Sequence, residues 1–266
     1  MERLKQINWA LLIGIVLVSV VFLITFVSIF YTPYDPIDMV INNRLAKPSL
    51  TNPLGTDQYG RDVLSRVMIG GQITLLVGLS AVLLGMVVGV FLGALAGYYG
   101  GLWDEVLMRI ADGLYSFPAF LLALLAVTLL GPGQNTALAA IAVANVPVFM
   151  RITRSNFLSL RETNFVEAAR AMGATDFRII AKHLLPNTLP ALLVQASVSF
   201  AIAVLAEASL SFLGVGTQPP DVSWGRMLKD SQAVAGIAPW TILYPGLAIG
   251  ITVLGFNLLG DGLQGK

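Results

Sequence analysis

The chain has 266 residues, of which 56% are hydrophobic and 12% are charged, and its formal net charge is +1. A soluble protein of this length needs far more charged surface, so we expect the chain to lie in a lipid bilayer. The small net charge gives no reason to expect nucleic acid as a partner. The chain has no cysteine to act as a thiol nucleophile, and its single histidine cannot form a multi-histidine zinc site.

The first apolar segment runs from Trp9 to Tyr31. A cleaved secretory signal has an apolar core of about 7–15 residues followed by small residues. This segment is longer, and it ends in Tyr-Thr-Pro-Tyr-Asp-Pro. We therefore predict a retained transmembrane helix within residues 1–31. The polar and proline-containing residues 32–70 are predicted to form an extracytoplasmic segment.

Five further apolar segments follow, at about 72–98, 106–130, 135–150, 187–213 and 240–260. They lack Lys and Arg except near their ends, as expected because a basic residue at the centre of a membrane helix costs about 2.5–3.5 kcal/mol. The sequence thus predicts an all-α integral membrane protein with six transmembrane helices. Five of them belong to a core over residues 71–266.

The distribution of basic residues predicts the orientation. With a cytoplasmic N-terminus, the cytoplasmic segments contain more Lys and Arg than the extracytoplasmic ones, and the stretch 151–186 is the richest of them. Arg3, Lys5 and Lys266 add to the same side. Because basic residues are enriched in cytoplasmic loops, both termini are predicted to be cytoplasmic.

The second apolar segment carries a glycine at every fourth position. A spacing of four residues puts these glycines on one helix face, where another membrane helix can approach closely. We therefore predict a helix-packing seam formed by Gly85, Gly89, Gly93 and Gly97.

Two acidic residues lie inside or beside apolar segments, where a carboxylate needs a partner. Asp112 follows Arg109 at a spacing of three residues, which predicts a local ion pair. Glu207 precedes Ser211 by four residues and is expected to make hydrogen bonds inside the protein, with a role in transport as the alternative.

The last seven residues, 260–266, match the letters of a phosphate-binding G-x-x-x-x-G-K loop. That loop needs a preceding strand, a following helix and a Ser or Thr for magnesium. Here a predicted membrane helix precedes the letters and no Ser or Thr follows them. We reject a nucleotide site, so any ATP must be bound by another chain.

The stretch 162–187 is the most informative segment. Residues 162–172 favour a helix, and Gly173 follows as its C′ residue. Asp176 is predicted to cap a second short helix that ends at Leu185-Pro186. Physical reasoning alone leaves two interpretations open, namely a partner-binding segment or an amphipathic helix lying on anionic lipid.

The same stretch resembles the EAA loop of ATP-binding-cassette (ABC) importer permeases, because Glu167-Ala168-Ala169 is followed at the family spacing by Gly173 and by Leu185-Pro186. His183 stands where the general pattern has Ile, and the chain lacks a tail common in the branch. Further blocks resemble the second permease of peptide and nickel importers, namely 54–62 with Ser65-Arg66, 211–216, 224–228, Phe256-Asn257 and Gly260-Asp261.

This resemblance implies a type I ABC importer permease fold with a cytoplasmic coupling loop over residues 155–186. It implies that an ATPase subunit is contacted by Glu167, Ala168, Ala169, Arg170, Gly173, Leu185 and Pro186. The implied partners are a homologous permease forming a heterodimer, two ABC ATPase subunits that bind ATP and magnesium, an extracytoplasmic solute-binding protein and membrane lipid. The implied location is the inner membrane of a bacterium or archaeon, with no cofactor in this chain.

The implied cargo is di- or oligopeptide, with nickel or a metal chelate as the alternative, and glutathione, opines and haem remain open. A secondary transporter or channel would need internal repeats or paired charges near the membrane midplane. A membrane-embedded enzyme would need a catalytic motif, such as Gly-x-Ser-x-Gly, that the chain lacks.

A cluster of charges in the extracytoplasmic segment has a spacing of three to five residues, which predicts a short helix. Two interpretations are open: a self-paired surface helix, or a docking surface for the solute-binding protein. The residues concerned are Asp57, Arg61, Asp62 and Arg66, with Trp224 as a further docking candidate.

Overall fold

The computed structural model describes residues 9–264. The helices are α1 (Trp9–Val27), α2 (Val63–Tyr99), α3 (Gly101–Tyr115), α4 (Ala119–Leu130), α5 (Gln134–Leu160), α6 (Asn164–Ala171), α7 (Asp176–Ile179), α8 (Leu185–Leu213), α9 (Trp224–Ser231) and α10 (Trp240–Gln264). Arg3, Lys5 and Lys266, which entered the orientation argument, lie outside the described residues, as does the end of the 260–266 motif.

Among the described residues, five helical segments are long and apolar enough to cross a membrane. They are α1, α2, α5, the continuous segment Asp176–Leu213 that contains α7 and α8, and α10. The pair α3 and α4 provides a sixth span if it is counted as one bent segment. The all-helical membrane architecture predicted from the sequence is therefore confirmed.

The segment predicted as one helix over 106–130 is instead broken. Helices α3 and α4 meet at an angle of 88°. Pro118 lies at the break. It has no backbone N–H to donate to a helical hydrogen bond, and its ring disfavours the helical conformation of the preceding Phe117. The prediction of a single continuous helix here is wrong, because apolar composition does not reveal how a proline redirects the chain.

Helices α2 and α5 pack closely along the glycine face of α2. A Cβ atom at Gly85 would lie 2.6 Å from the Cβ of Asn145, and one at Gly89 would lie 2.6 Å from the carbonyl oxygen of Val146. No side chain fits at such distances without a shift of one helix. The remaining two glycines approach the same helix, at Met150, Thr153, Arg154 and Phe157.

Helix α10 lies between α1 and α8. The ring of Phe256 has its centroid 6.2 Å from that of Phe22 in α1 and 4.1 Å from that of Phe200 in α8. These aromatic contacts bury part of α10, while most of α1 remains exposed on the outside of the bundle. The first predicted membrane helix is therefore a peripheral one.

The segment before α2 is mostly irregular, with one 3-10 turn at Ile41–Asn43 and an isolated bridge between Thr56 and Asp62. Helix α2 begins at Val63, two turns earlier than the apolar pattern predicts. The carboxylate of Asp62 accepts a hydrogen bond of 2.8 Å from the backbone N–H of Ser65 and caps the helix. This cap explains why α2 begins at Val63, before the predicted apolar segment starts.

Candidate ATPase-coupling site

Helix α6 carries the Glu-Ala-Ala pattern. It spans Asn164–Ala171, within the helix predicted over 162–172, and Gly173 follows it with φ +79°. A residue with a side chain rarely adopts this left-handed conformation. A Cβ atom at Gly173 would meet nothing within 4 Å, so the backbone conformation, and not lack of space, requires glycine here.

One face of α6 is fixed to the ends of the membrane helices. Val166 and Ala169 are 1% and 3% exposed and pack into an apolar cluster that also contains Tyr98, Phe157, Ile179 and Leu184. The predicted coupling residues are therefore not equivalent. Ala169 and Leu185 belong to the buried or half-buried side, whereas the exposed ones are Glu167, Ala168, Arg170, Gly173 and Pro186.

Two large exposed apolar side chains close in sequence to α6 were not predicted. Met172 is 81% exposed and Phe177 is 80% exposed, on either side of the Gly173 turn. Both side chains are therefore available for contact with another surface. In the sequence, both residues lie beside a turn between two short helices, where a side chain has no hydrophobic core to pack against. That position was the signal that could have identified them.

The second short helix is capped one residue earlier than predicted. The side chain of Thr175 accepts a hydrogen bond of 3.4 Å from the backbone N–H of Arg178. Asp176 instead accepts a hydrogen bond of 2.6 Å from the hydroxyl of Tyr98. This bond ties the start of α7 to the end of α2, so the aspartate joins two elements rather than ending one.

Contrary to the prediction, the second short helix does not end at Leu185-Pro186. A π-helical turn over Ile180–Leu184 connects α7 directly to α8. Pro186 is the second residue of α8, directly after the π turn. Wider turns of this kind occur often at functional positions in helices. The coupling segment is thus continuous with a membrane-spanning helix.

Ion pairs connect α3 to α5 at the same end of the bundle. Asp112 pairs with Arg151 at 2.6 Å, and the Arg151 guanidinium lies 4.4 Å from the ring centroid of Tyr115. Arg109 pairs with Glu105 at 2.8 Å. The predicted pair between Arg109 and Asp112 is therefore wrong, because Asp112 is turned toward α5. Asp104 and Arg154 form a further pair between these helices.

The charges before and at the start of α2 form a buried cluster at the opposite end of the bundle. Asp57 pairs with Arg61 at 2.7 Å and approaches Arg66 at 3.7 Å, and both arginines lie within 3.8 Å of Asp230. Asp57 and Arg61 lie in a turn before α2, so the short helix predicted around them is not formed. The cluster pairs with itself, as one interpretation expected, but inside the protein.

Trp224 is buried as well, at 2% exposure, and its indole N–H donates to the carbonyl of Val67 at 2.8 Å. Its buried position and that of the charge cluster join the segment before α2 to α9. A docking protein could reach these side chains only if this end of the molecule opened. They are therefore placed to hold the segment before α2, the start of α2 and α9 together.

Glu207 is 1% exposed and faces protein, not lipid. Its Oε1 atom accepts hydrogen bonds from the hydroxyls of Ser211 at 2.7 Å and Thr217 at 3.1 Å. Ser211 in turn accepts from the backbone N–H of Thr217 at 2.9 Å. The carboxylate thereby joins the end of α8 to the loop that follows, which is the hydrogen-bonding role expected from the sequence.

Known proteins with similar sequences cover nearly the whole chain. The dipeptide transport system permease protein DppC of Alkalihalophilus pseudofirmus is 43% identical over 99% of this chain and 87% of its own length. The glutathione transport system permease protein GsiD of Pectobacterium atrosepticum is 43% identical, over 91% and 80% respectively. Its counterpart in Escherichia coli O157:H7 is 44% identical, over 92% and 82%.

Solved structures of the MetNI methionine ABC transporter in inward-facing conformations share the fold. One superposes with a TM-score of 0.58 and 20% identity, covering 74% of this chain and 95% of the other. A second gives 0.61 and 22%, covering 74% and 93%. The chain therefore has the type I ABC importer permease fold.

The family described as "Binding-protein-dependent transport system inner membrane component" matches residues 89–266, a region that includes the coupling segment and four of the five long helices in whole or in part. This match, and the long alignments with permease subunits, do not support a secondary transporter, a channel or an enzyme. The chain belongs to the family of binding-protein-dependent transport system inner membrane components.

Proposed function

We propose that this chain is a permease subunit that forms half of the translocation pathway of an ATP-driven importer of short peptides. The relatives that support this cargo are named for dipeptides and for glutathione, which is itself a tripeptide. Import of nickel or a metal chelate by the same mechanism has no such support from these relatives. The family's binding-protein dependence supports delivery of the peptide by an extracytoplasmic binding protein.

A homologous permease supplies the other half of the pathway, and two ABC ATPase subunits bind ATP and magnesium. This chain takes no part in hydrolysis and needs no cofactor of its own. The first five of its G-x-x-x-x-G-K letters, 260–264, lie inside helix α10, whereas a phosphate-binding loop follows a strand. ATP binding drives transport only if it favours one conformation of the assembled complex over another.

The exposed face of α6 contacts an ATPase subunit. Glu167 and Arg170 offer charge, Ala168 permits close approach, and Met172 and Phe177 supply apolar contact area. The opposite face is held by the apolar cluster, so α6 moves with the ends of α2 and α5. This combination of an open face and a fixed face is the observation that carries the proposal, together with family membership.

Movement of α6 reaches the membrane by two routes. The π turn over Ile180–Leu184 leads from α7 into α8, and the hydrogen bond between Tyr98 and Asp176 leads to α2. Rigid movement of packed helices about short connecting segments is a common form of conformational switching. The chain therefore converts closure of the ATPases into a change of access to the pathway.

The end of the bundle that carries α6 faces the cytoplasm, and both termini are cytoplasmic. The basic stretch 151–186 lies at that end and favours this orientation. The segment before α2 and the segment that contains α9 then face the extracytoplasmic side, where the binding protein delivers its cargo.

Reconstitution of the complete importer in proteoliposomes tests the proposal. We expect uptake of a radiolabelled dipeptide to require ATP and the binding protein. Glu167→Lys should release the ATPase subunits or uncouple hydrolysis from uptake. Glu162→Lys is the matched control, because Glu162 is equally a carboxylate, is 76% exposed in its side chain, and precedes α6. Normal transport by Glu167→Lys would contradict the proposed coupling role.

A further inference from the structure

A cavity of about 680 Å³ opens between the α3–α4 break, α5 and α8. This volume is in the range of pockets that hold small organic ligands, about 300–1,000 Å³. Phe117 and Pro118 form its wall at the break, so the proline that interrupts the predicted third span also shapes the cavity. Its polar wall includes Asn145, Gln195, Ser199 and Ser209.

The polar side chains lie near the middle of the membrane helices. Asn145 is central in the 27-residue helix α5, and Gln195 and Ser199 are central in the 29-residue helix α8. Polar groups at this depth are costly in lipid, and they mark a solute pathway or a contact between helices. Here they line a cavity, so the pathway is the interpretation that fits.

The hydrogen-bonding capacity of this wall is only partly used by the protein. The amide nitrogen of Asn145 donates to the carbonyl of Ile141 at 2.9 Å, and that of Gln195 donates to the hydroxyl of Ser199 at 3.2 Å. Within residues 9–264, no group donates a hydrogen bond to either amide oxygen. Both oxygens are therefore available to accept from a solute.

We propose that Asn145 and Gln195 form the peptide-facing wall of the translocation pathway and accept hydrogen bonds from the main-chain N–H groups of a peptide in transit. This inference rests on the proposed function. Apart from the hydrogen-bonding groups, the wall is apolar, and among the described residues that line it none is charged. Such a wall suits peptides of varied side chains, and weak contacts let the solute leave as well as enter.

The cavity is not closed by this chain alone. Ile202 and Leu205, which also line it, remain 54% and 45% exposed. A pathway shared by two permeases needs a wall of this kind, open toward the second subunit. The exposed side is therefore the direction from which the homologous permease completes the pathway.

The absence of cysteine from the chain permits a direct test by labelling. Asn145→Cys and Gln195→Cys variants in the complete importer are treated with a charged, membrane-impermeant thiol reagent, with and without ATP and vanadate. Leu254→Cys is the control, because Leu254 is 53% exposed on α10 but does not line the cavity. We expect at least tenfold faster labelling at the cavity positions in one nucleotide state, and slower labelling when a dipeptide and the binding protein are added.

Transport measurements give an independent readout. Asn145→Leu should lower dipeptide uptake about 3- to 10-fold, the loss expected for one hydrogen bond, while the ATPases remain bound. Asn156→Leu is a matched control, because Asn156 makes the same 2.9 Å bond to a carbonyl four residues back on the same helix but lies outside the cavity. Equal uptake by these two variants, or cavity cysteines labelled no faster than Leu254→Cys, would overturn the inference.

The two levels of proposal fail in different ways. If the unaltered importer hydrolyses ATP with its binding protein but takes up no peptide, the proposed cargo is wrong. If it takes up peptide normally and the cavity variants match their controls, the proposed cargo stands and the assignment of Asn145 and Gln195 fails.

Discussion

Substitution of Gly89 by alanine tests the packing of α2 against α5. The added Cβ atom would lie 2.6 Å from the carbonyl oxygen of Val146, 2.8 Å from the Cβ of Phe149 and 3.1 Å from the backbone N of Met150. Two of the three neighbours are backbone atoms of a helix, which no rotamer change can move aside. Helix α5 must therefore shift as a body, or the contact must open.

Overpacking of this kind costs about 1–3 kcal/mol. For a protein of about 150–250 residues, each kcal/mol lowers the melting temperature by roughly 2–4 °C. We therefore expect Gly89→Ala to melt several degrees below the unaltered protein. Gly250→Ala supplies the control, because Gly250 is also inside a long helix but a Cβ atom there meets nothing within 4 Å.

The assay is the fraction of folded protein recovered by size-exclusion chromatography after heating in detergent, measured for both variants across a temperature series. Gly250→Ala should melt at or slightly above the unaltered protein, because alanine favours a helix over glycine. Equal melting temperatures for Gly89→Ala and Gly250→Ala would refute the close approach of α2 and α5 along the glycine face.

Substitutions at three further positions probe the buried networks and the turn after α6. Glu207→Leu removes the acceptor for the Ser211 hydroxyl and should destabilise the protein by about 1–3 kcal/mol, whereas Glu207→Gln keeps an acceptor and should melt closer to the unaltered protein. Asp230→Asn leaves Arg66 and its neighbours with one carboxylate fewer, and a loss of about 3 kcal/mol is expected in chemical denaturation; no loss would mean that the cluster is solvated. Gly173→Ala should weaken ATPase co-purification more than Gly173→Asn, because asparagine tolerates the left-handed conformation; equal effects would show that φ is not the constraint.

Features governed by local sequence could be predicted. Long apolar runs, the end of α6 at Gly173 and the four-residue glycine spacing each depend on residues close in the chain. The EAA spacing also led to the correct family, because it is a pattern within one segment. The sequence therefore indicated the architecture and the location of the candidate coupling segment.

Features governed by tertiary packing could not be predicted from the sequence. The carboxylate of Asp112 pairs with Arg151 on another helix rather than with its sequence neighbour. The charges around Asp57 are buried by α9, whose Asp230 lies far away in the chain. Periodicity within a single segment does not show which of its faces another segment will cover. The sequence therefore predicted surface charges where the structure has buried ones.

The proline positions show the same division. Pro118 interrupts the helix predicted over 106–130, whereas Pro186 is accommodated in the first turn of α8. A proline does not by itself fix a helix boundary, because Pro147, Pro190 and Pro245 lie inside helices. The π turn that precedes Pro186 was not indicated by the sequence alone.

Cross-linking from Met172 tests the central claim, that the exposed end of α6 contacts an ATPase subunit. Met172→Cys introduces the sole cysteine of this chain at a position that is 81% exposed, and Ile237→Cys places it at a 72% exposed position at the opposite end. A short bifunctional thiol reagent is applied to the assembled importer, carrying a cysteine on the permease-facing surface of its ATPase. The account predicts a permease–ATPase product for Met172→Cys and none for Ile237→Cys. A product for Ile237→Cys alone would contradict both the coupling site and the orientation.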